Sequence, residues 1–230
     1  MARDNSVTEQ VAEWIVKADY DDIPKIAVER VRNLVLDSLG NQFAGMSVST
    51  GRILSEWVEA QGGTPESSVT GRGFKTTASL ATRVNGAASH ALENDDIATF
   101  SSHPNSPLTA AALALGEKLG ASGRDFVLAW LVGWEITAQT MKPVMGPRGN
   151  ELINRGWFNQ GFQETLGVAA LAARLLHLDH RDALRPLVSA QRSVPPRRGH
   201  MRCAREAGAA GVLAALTVLD LTGRRGMISL

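Results

Sequence analysis

TTASLATRVNGAASHALENDDIATFSSHPNSPLTAAALALGEKL, residues 76–119, is the stretch whose reading decides the fold. Its two ends, 76–92 and 108–119, are rich in alanine and other small residues at helical spacing, which lets a neighbouring helix approach closely. Between them, Glu93 to Pro107 is polar and irregular and has no packing pattern of its own. A short loop held between rigid helices is a common place for a functional site, because the helices fix what the loop carries. This one carries Glu93, Asp95, Asp96 and His103.

The helical period continues on both sides. Upstream, Val7, Val11, Trp14 and Ile15 recur at three- and four-residue steps, with Ser6 or Thr8 available as a cap. A second helix is predicted from Pro24, a residue suited to a first turn because its missing N–H needs no partner there. Ile26, Val28, Val31, Leu34, Val35 and Leu39 give it a broad apolar face. A third carries Ile53, Leu54, Trp57 and Val58 and stops at Gly62-Gly63 with Pro65 beyond. Residues 66–75 read as a turn-rich connection with room for a brief strand. Downstream, helices are predicted over 124–141 and 160–177, separated by Pro143, Gly146, Pro147 and Gly149. No run alternates with β-branched enrichment, so a parallel sheet is not expected. The fold class read from these patterns is all-α, a multi-helix bundle. Residues 1–190 form the main helical domain, and 191–206 an irregular segment in which Pro195-Pro196 forbids helix. Residues 207–230 are read as a C-terminal helix of the same domain.

Composition narrows the function classes. The 230 residues are 44% hydrophobic and 20% charged with a net charge of +1, enough for a real core and too balanced for wholesale electrostatic binding of nucleic acid. Arg192, Arg197, Arg198, Arg202 and Arg205 cluster without interleaved aromatics and read as a solvated segment. One cysteine, Cys203, excludes an intramolecular disulfide framework and favours a reducing compartment, so the expected setting is the cytoplasm. The strongest apolar run, Phe126 to Trp134, falls short of the roughly 20 residues that cross a bilayer, and no membrane partner is expected.

Four segments, taken in order, carry a resemblance to a known family. They are RVRNLVLDSLGNQFAG (30–45), VNGAASHALENDD (84–96) followed by His103-Pro104, ALALGEKLGASGRDFVLAWLVGWEI (112–136) and GVAALAARLLHLD (167–179). Together they resemble the MmgE/PrpD family, which includes 2-methylcitrate dehydratase, cis-aconitate decarboxylase and iminodisuccinate epimerase. The resemblance implies a large helical domain, followed in full-length members by a smaller α/β lid that this chain is expected to lack. It also implies metal-independent proton transfer beside a carboxylate of a small acid, and hence no cofactor.

Carried over position by position, the resemblance is uneven. It assigns His103, Glu93 and Asp95 as catalytic groups, and Asn85, His90, Ile97, Phe158 and Gln139 as substrate-binding ones. Of these, Glu93 stands where the family has aspartate, Ile97 where it has threonine, Phe158 where it has a second histidine, and Gln139 where it has arginine. Each lost charge-assisted contact to a carboxylate substrate is worth about 1.5–3 kcal/mol, and a lost acid–base group about 10²–10⁴-fold in rate. Two readings follow. One is a lyase or isomerase acting on a carboxylate at an interhelical pocket, as a homodimer, with His103 as acid/base. The other is a catalytically impaired or repurposed member that serves as a binding or partner subunit. The bland reading of the loop stays open: Asp96 can simply cap the next helix, and His90 can be a satisfied core histidine. The spacing of Glu93, Asp95, Asp96 and His103 matches no EF-hand or zinc signature, so no metal is expected.

Overall fold

The computed structural model describes residues 6–98, 103–142 and 159–192. Its first helix, α1 (Val7–Lys17), opens on a reciprocal cap in which Ser6 Oγ accepts from the Glu9 N–H and the Glu9 carboxylate accepts from the Ser6 N–H. A 3₁₀ turn (Tyr20–Asp22) leads to α2 (Lys25–Met46), capped by Pro24, and then α3 (Ser49–Gln61). Two-residue strands β1 (Ser67–Ser68) and β2 (Lys75–Thr76) pair antiparallel and are the whole sheet among the described residues. Next come α4 (Ala78–Ser89), α5 (Asn105–Leu119), α6 (Gly123–Met141), α7 (Asn159–Leu175) and α8 (His180–Arg192). The architecture is all-α, as the periodicity predicts.

Small side chains set the packing. The main core joins Ala12 and Ile15 of α1 to the alanines and leucines of α5, α6 and α7, and to Ala183, Leu187 and Ala190 of α8. Helices α6 and α7 cross backbone to backbone. A Cβ on Gly167 would lie 2.0 Å from Thr137 Oγ1 and 2.7 Å from the Gly133 carbonyl, so only glycine permits that approach. Trp130 is buried at this layer, donates from Nε1 to Thr109 Oγ1 (3.0 Å) and stacks on Trp134 with ring centroids 5.1 Å apart. A second, smaller core gathers Met46, Val58, Val69, Val84 and Ala88 where α2, α3 and α4 meet.

Two boundaries differ from the sequence reading. Helix α5 begins at Asn105, three residues before Leu108, because Asn105-Ser106-Pro107 occupies a first turn, where backbone N–H groups have no intrahelical acceptor and proline is harmless. Helix α8 is a separate element across 180–192, with Pro186 inside it and Asp179 Oδ1 accepting from the Asp182 N–H at its start. It carries helix through Arg192, past the boundary drawn at 190. The remainder of the irregular segment and the C-terminal helix over 207–230 lie outside the described residues. Among the described residues no helix is long and apolar enough to cross a membrane.

Candidate active site

Helix α4 ends at His90, and α5 begins at Asn105 with Pro104 as its cap. Asp95 and Asp96, in the polar connection between them, meet the start of α5, where backbone N–H groups and the helix dipole favour negative charge. Asp96 Oδ1 accepts from the Asn105 N–H (3.2 Å), the capping role open to it from sequence. Asp95 turns the other way and is buried, with its side chain fully shielded from solvent.

Around Asp95 the structure assembles a compact cluster. His90 Nδ1 lies 2.9 Å from Oδ1 and 3.0 Å from Oδ2. His103 Nδ1 approaches Oδ1 at 3.5 Å, an ion-pair distance without a hydrogen bond. The two imidazoles sit 4.9 Å apart, tilted by 55°, and each keeps about a fifth of its side-chain surface open (22% and 20%). Ser106 Oγ donates to Asp95 Oδ2 at 2.5 Å. On the far side, the His103 N–H donates to Glu164 Oε1 (3.3 Å), a carboxylate of α7 with no exposed surface. One ring nitrogen of each histidine and an Asp95 oxygen all fall within 4.8 Å of one another. At 2.9–3.0 Å, His90 and Asp95 are at hydrogen-bond separation, and both carboxylate oxygens accept.

The neighbouring carboxyls are driven in opposite directions. Burial alone pushes Asp95 up, but hydrogen bonds from His90 and Ser106, with the charge of both imidazoles, outweigh it and hold the carboxyl below the ordinary aspartate range. Asp96 is pushed up to about 7, first by burial and then by the charge of Asp95, with Asp37 adding to it; the Asn105 N–H opposes the shift. One of its oxygens is buried without a hydrogen bond. Adjacent acids whose surroundings separate them in this way are a common basis for acid–base division of labour.

The Asp96 shift carries a stability consequence. Its folded value lies above the unfolded 3.8, so the folded state holds the extra proton between about 4 and 7. Stability from this group therefore falls as pH rises through that window and stays low above it. Asp96→Asn, which keeps an acceptor for the Asn105 N–H, is expected to match wild type near pH 4 and to exceed it by roughly 2 kcal/mol at pH 8, a full shift being worth ~4 kcal/mol before solvent screening. Urea unfolding at the two pH values checks this, and an unchanged difference between them would count against it.

The sequence model of the MmgE/PrpD N-terminal domain matches residues 9–220. The chain belongs to the MmgE/PrpD family. It is similar to cis-aconitate decarboxylase of Homo sapiens, 29% identical over 192 residues that cover 80% of this chain and 39% of the relative. The Mus musculus enzyme of the same name is 29% identical over 178 residues, covering 75% and 36%. A cis-aconitate decarboxylase-like protein of Aspergillus oryzae is 26% identical over 187 residues, covering 78% and 38%. The chain thus spans less than two-fifths of the length of these relatives.

The residues that the MmgE/PrpD resemblance singles out separate into groups. His90, Asp95 and His103 come together in one cluster. Glu93 does not join it: its backbone is left-handed (φ 50°), its N–H donates to the His90 carbonyl, and its side chain stands in solvent. Ile97 is 73% exposed. The Asn85 amide is committed elsewhere, accepting from the Thr70 N–H and donating to the Ser68 carbonyl, 3.0 Å each, so it braces β1 against α4. Gln139 lies exposed on α6, donating to Glu135 and accepting from Lys142. Phe158 lies outside the described residues. Sequence reasoning missed Ser106 and Glu164. A serine in a first helical turn reads as a cap, and a glutamate inside an Ala-rich helix reads as its solvent face.

Proposed function

We propose that this chain contributes the acid–base part of a lyase or isomerase acting, without a cofactor, on a small carboxylate or a metabolite derived from one. The observation that carries the reading is the Asp95-centred cluster, with His90 bonded to a buried carboxylate and His103 beside it. A carboxylate kept ionised beside an imidazole stabilises the imidazolium that proton abstraction creates, and imidazole is the side chain best matched to transfer near neutral pH. In this reading His103 exchanges the proton with substrate and Asp95, rather than Glu93, is its carboxylate partner. The cis-aconitate decarboxylases among the relatives put an unsaturated tricarboxylic acid among the first substrates to try.

A homodimer belongs to the same proposal. Helix α2 exposes Leu36 (71%) and Phe43 (58%), large apolar surface that a second copy would cover. The cytoplasmic setting rests on the single cysteine and stays part of the proposal.

One observation favours the second reading, an impaired or repurposed binding subunit. Ile97, in the position the family gives to a threonine, is an exposed apolar side chain with no hydroxyl to offer a substrate. A thermal-shift screen of the full-length protein against di- and tricarboxylic acids separates the two. A ligand at a hundred times its Kd stabilises by about 2.7 kcal/mol, a shift of several degrees. We expect such a shift with at least one tricarboxylate; silence toward every acid would favour the binding-subunit reading.

A further inference from the structure

Behind Asp95, a line of polar side chains runs through the α2–α4–α5 contact, away from the imidazoles. Ser106 Oγ is 3.0 Å from Ser89 Oγ, and Ser89 Oγ is 3.0 Å from Ser38 Oγ. Gln42 Nε2 donates to Ser38 Oγ (3.3 Å), and Thr70 Oγ1 donates to Gln42 Oε1 (2.7 Å). Ser38, Gln42, Ser89 and Ser106 are all buried.

The direction of this chain follows from proton counting. A serine has one hydroxyl proton, and an ionised carboxylate only accepts. Ser106 Oγ is placed to donate both to Asp95 Oδ2 (2.5 Å) and to Ser89 Oγ (3.0 Å), but its one proton goes to the shorter contact with the anion, which leaves it to accept from Ser89. Ser89, having donated, accepts from Ser38, which accepts in turn from the Gln42 amide. Every donor in the line then points toward Asp95, and bonds aligned head to tail in a low-dielectric interior strengthen one another.

We infer that Ser38, Ser89 and Ser106 form a one-way hydrogen-bond chain that orients Asp95 and holds it as the anion, with Ser89 and Ser38 acting as positioning residues through Ser106. This deepens the proposed function and takes its catalytic meaning from that reading. The chain is distinct from a single local cap because its outer links lie on other helices, with Ser38 on α2 and Ser89 on α4. The titratable groups around Asp95 are His90 at the end of α4, His103 before α5 and Asp96 next to it. Asp37 of α2 acts on Asp96, and Glu164 of α7 holds the His103 N–H. None of these is altered by a serine substitution.

The test is a pH titration of the Asp95 carboxyl by ¹³C NMR on the full chain, its signal assigned by its loss in Asp95→Asn. Ser106→Ala removes the direct donor and is expected to raise the midpoint by about one pH unit, while Ser106→Thr, which keeps the hydroxyl, restores it. Ser89→Ala leaves the Ser106–Asp95 bond in place and is expected to raise the midpoint by about 0.3 unit, in line with 10–30% strengthening per bond. Ser38→Ala should act in the same direction and less, and it carries the comparison if Ser89→Ala does not fold. An Asp95 midpoint unmoved by Ser89→Ala and Ser38→Ala, or unmoved by Ser106→Ala, overturns the chain. Because the measurement needs no turnover, a protein inactive toward every acid but showing the graded shifts would sink the enzymatic reading and leave this inference standing.

Discussion

Gly45→Ala is expected to destabilise the protein by ~3 kcal/mol or more, while Gly40→Ala, five residues earlier on the same helix, is expected to stabilise it by about 0.5–1 kcal/mol. A Cβ at position 45 would lie 1.9 Å from the Ala88 carbonyl oxygen and 2.6 Å from its carbon. Those atoms are backbone of α4 and cannot rotate aside, so α2 and α4 would have to move apart. The contact they share also holds Met46, Val58, Val84 and Ala88 in the smaller core, and the serine line from Ser38 to Ser89 crosses it. Within one protomer a Cβ at position 40 would meet nothing within 4 Å, so in the monomer alanine there only removes glycine's unfolded-state entropy. Thermal unfolding of the two variants reads out opposite signs. A Gly45→Ala protein as stable as wild type would mean that the helices do not approach in this way.

The fold was legible where small residues repeat at helical spacing. Ala78 to Ser89 and the alanines of α5 and α7 read as helix faces that must meet other helices, and they do. Helix α8 was not legible as an element, since Pro186 inside it counts against helix in any local reading; Ala183, Leu187 and Ala190 place it against the core regardless. The site was legible only in part. Asp95 and His103 stand in one loop, so sequence proximity points to them. The partners that define Asp95 come from farther away, with Ser89 on α4 and Ser38 on α2, and long-range polar contacts leave no periodic trace. Glu93 misleads for the opposite reason: it is next door in sequence, but a left-handed backbone turns it outward. Asn85 sits four positions before Ser89, on the adjacent part of α4, yet its amide is occupied by the β1 backbone.

His103→Ala in the full-length protein is expected to lower kcat/KM by ~10²–10⁴-fold for whichever acid gives the largest thermal shift, with most of the loss in kcat. The ring is partly exposed and makes no hydrogen bond through Nδ1, so its removal takes little from the fold and the variant should melt close to wild type. Asp95 keeps its bonds from His90 and Ser106 in that variant and remains paired. Asp95→Asn preserves shape but removes the charge that stabilises an imidazolium, and its loss should be of similar order. If His103 and Asp95 work as one unit, the double variant will be little worse than the poorer single one, because the second change removes a partner already idle. Independent roles would instead multiply the two losses. Turnover by His103→Ala equal to wild type would remove His103 from the chemistry, and the proton transfer would then have to be sought at His90, the imidazole bonded directly to Asp95.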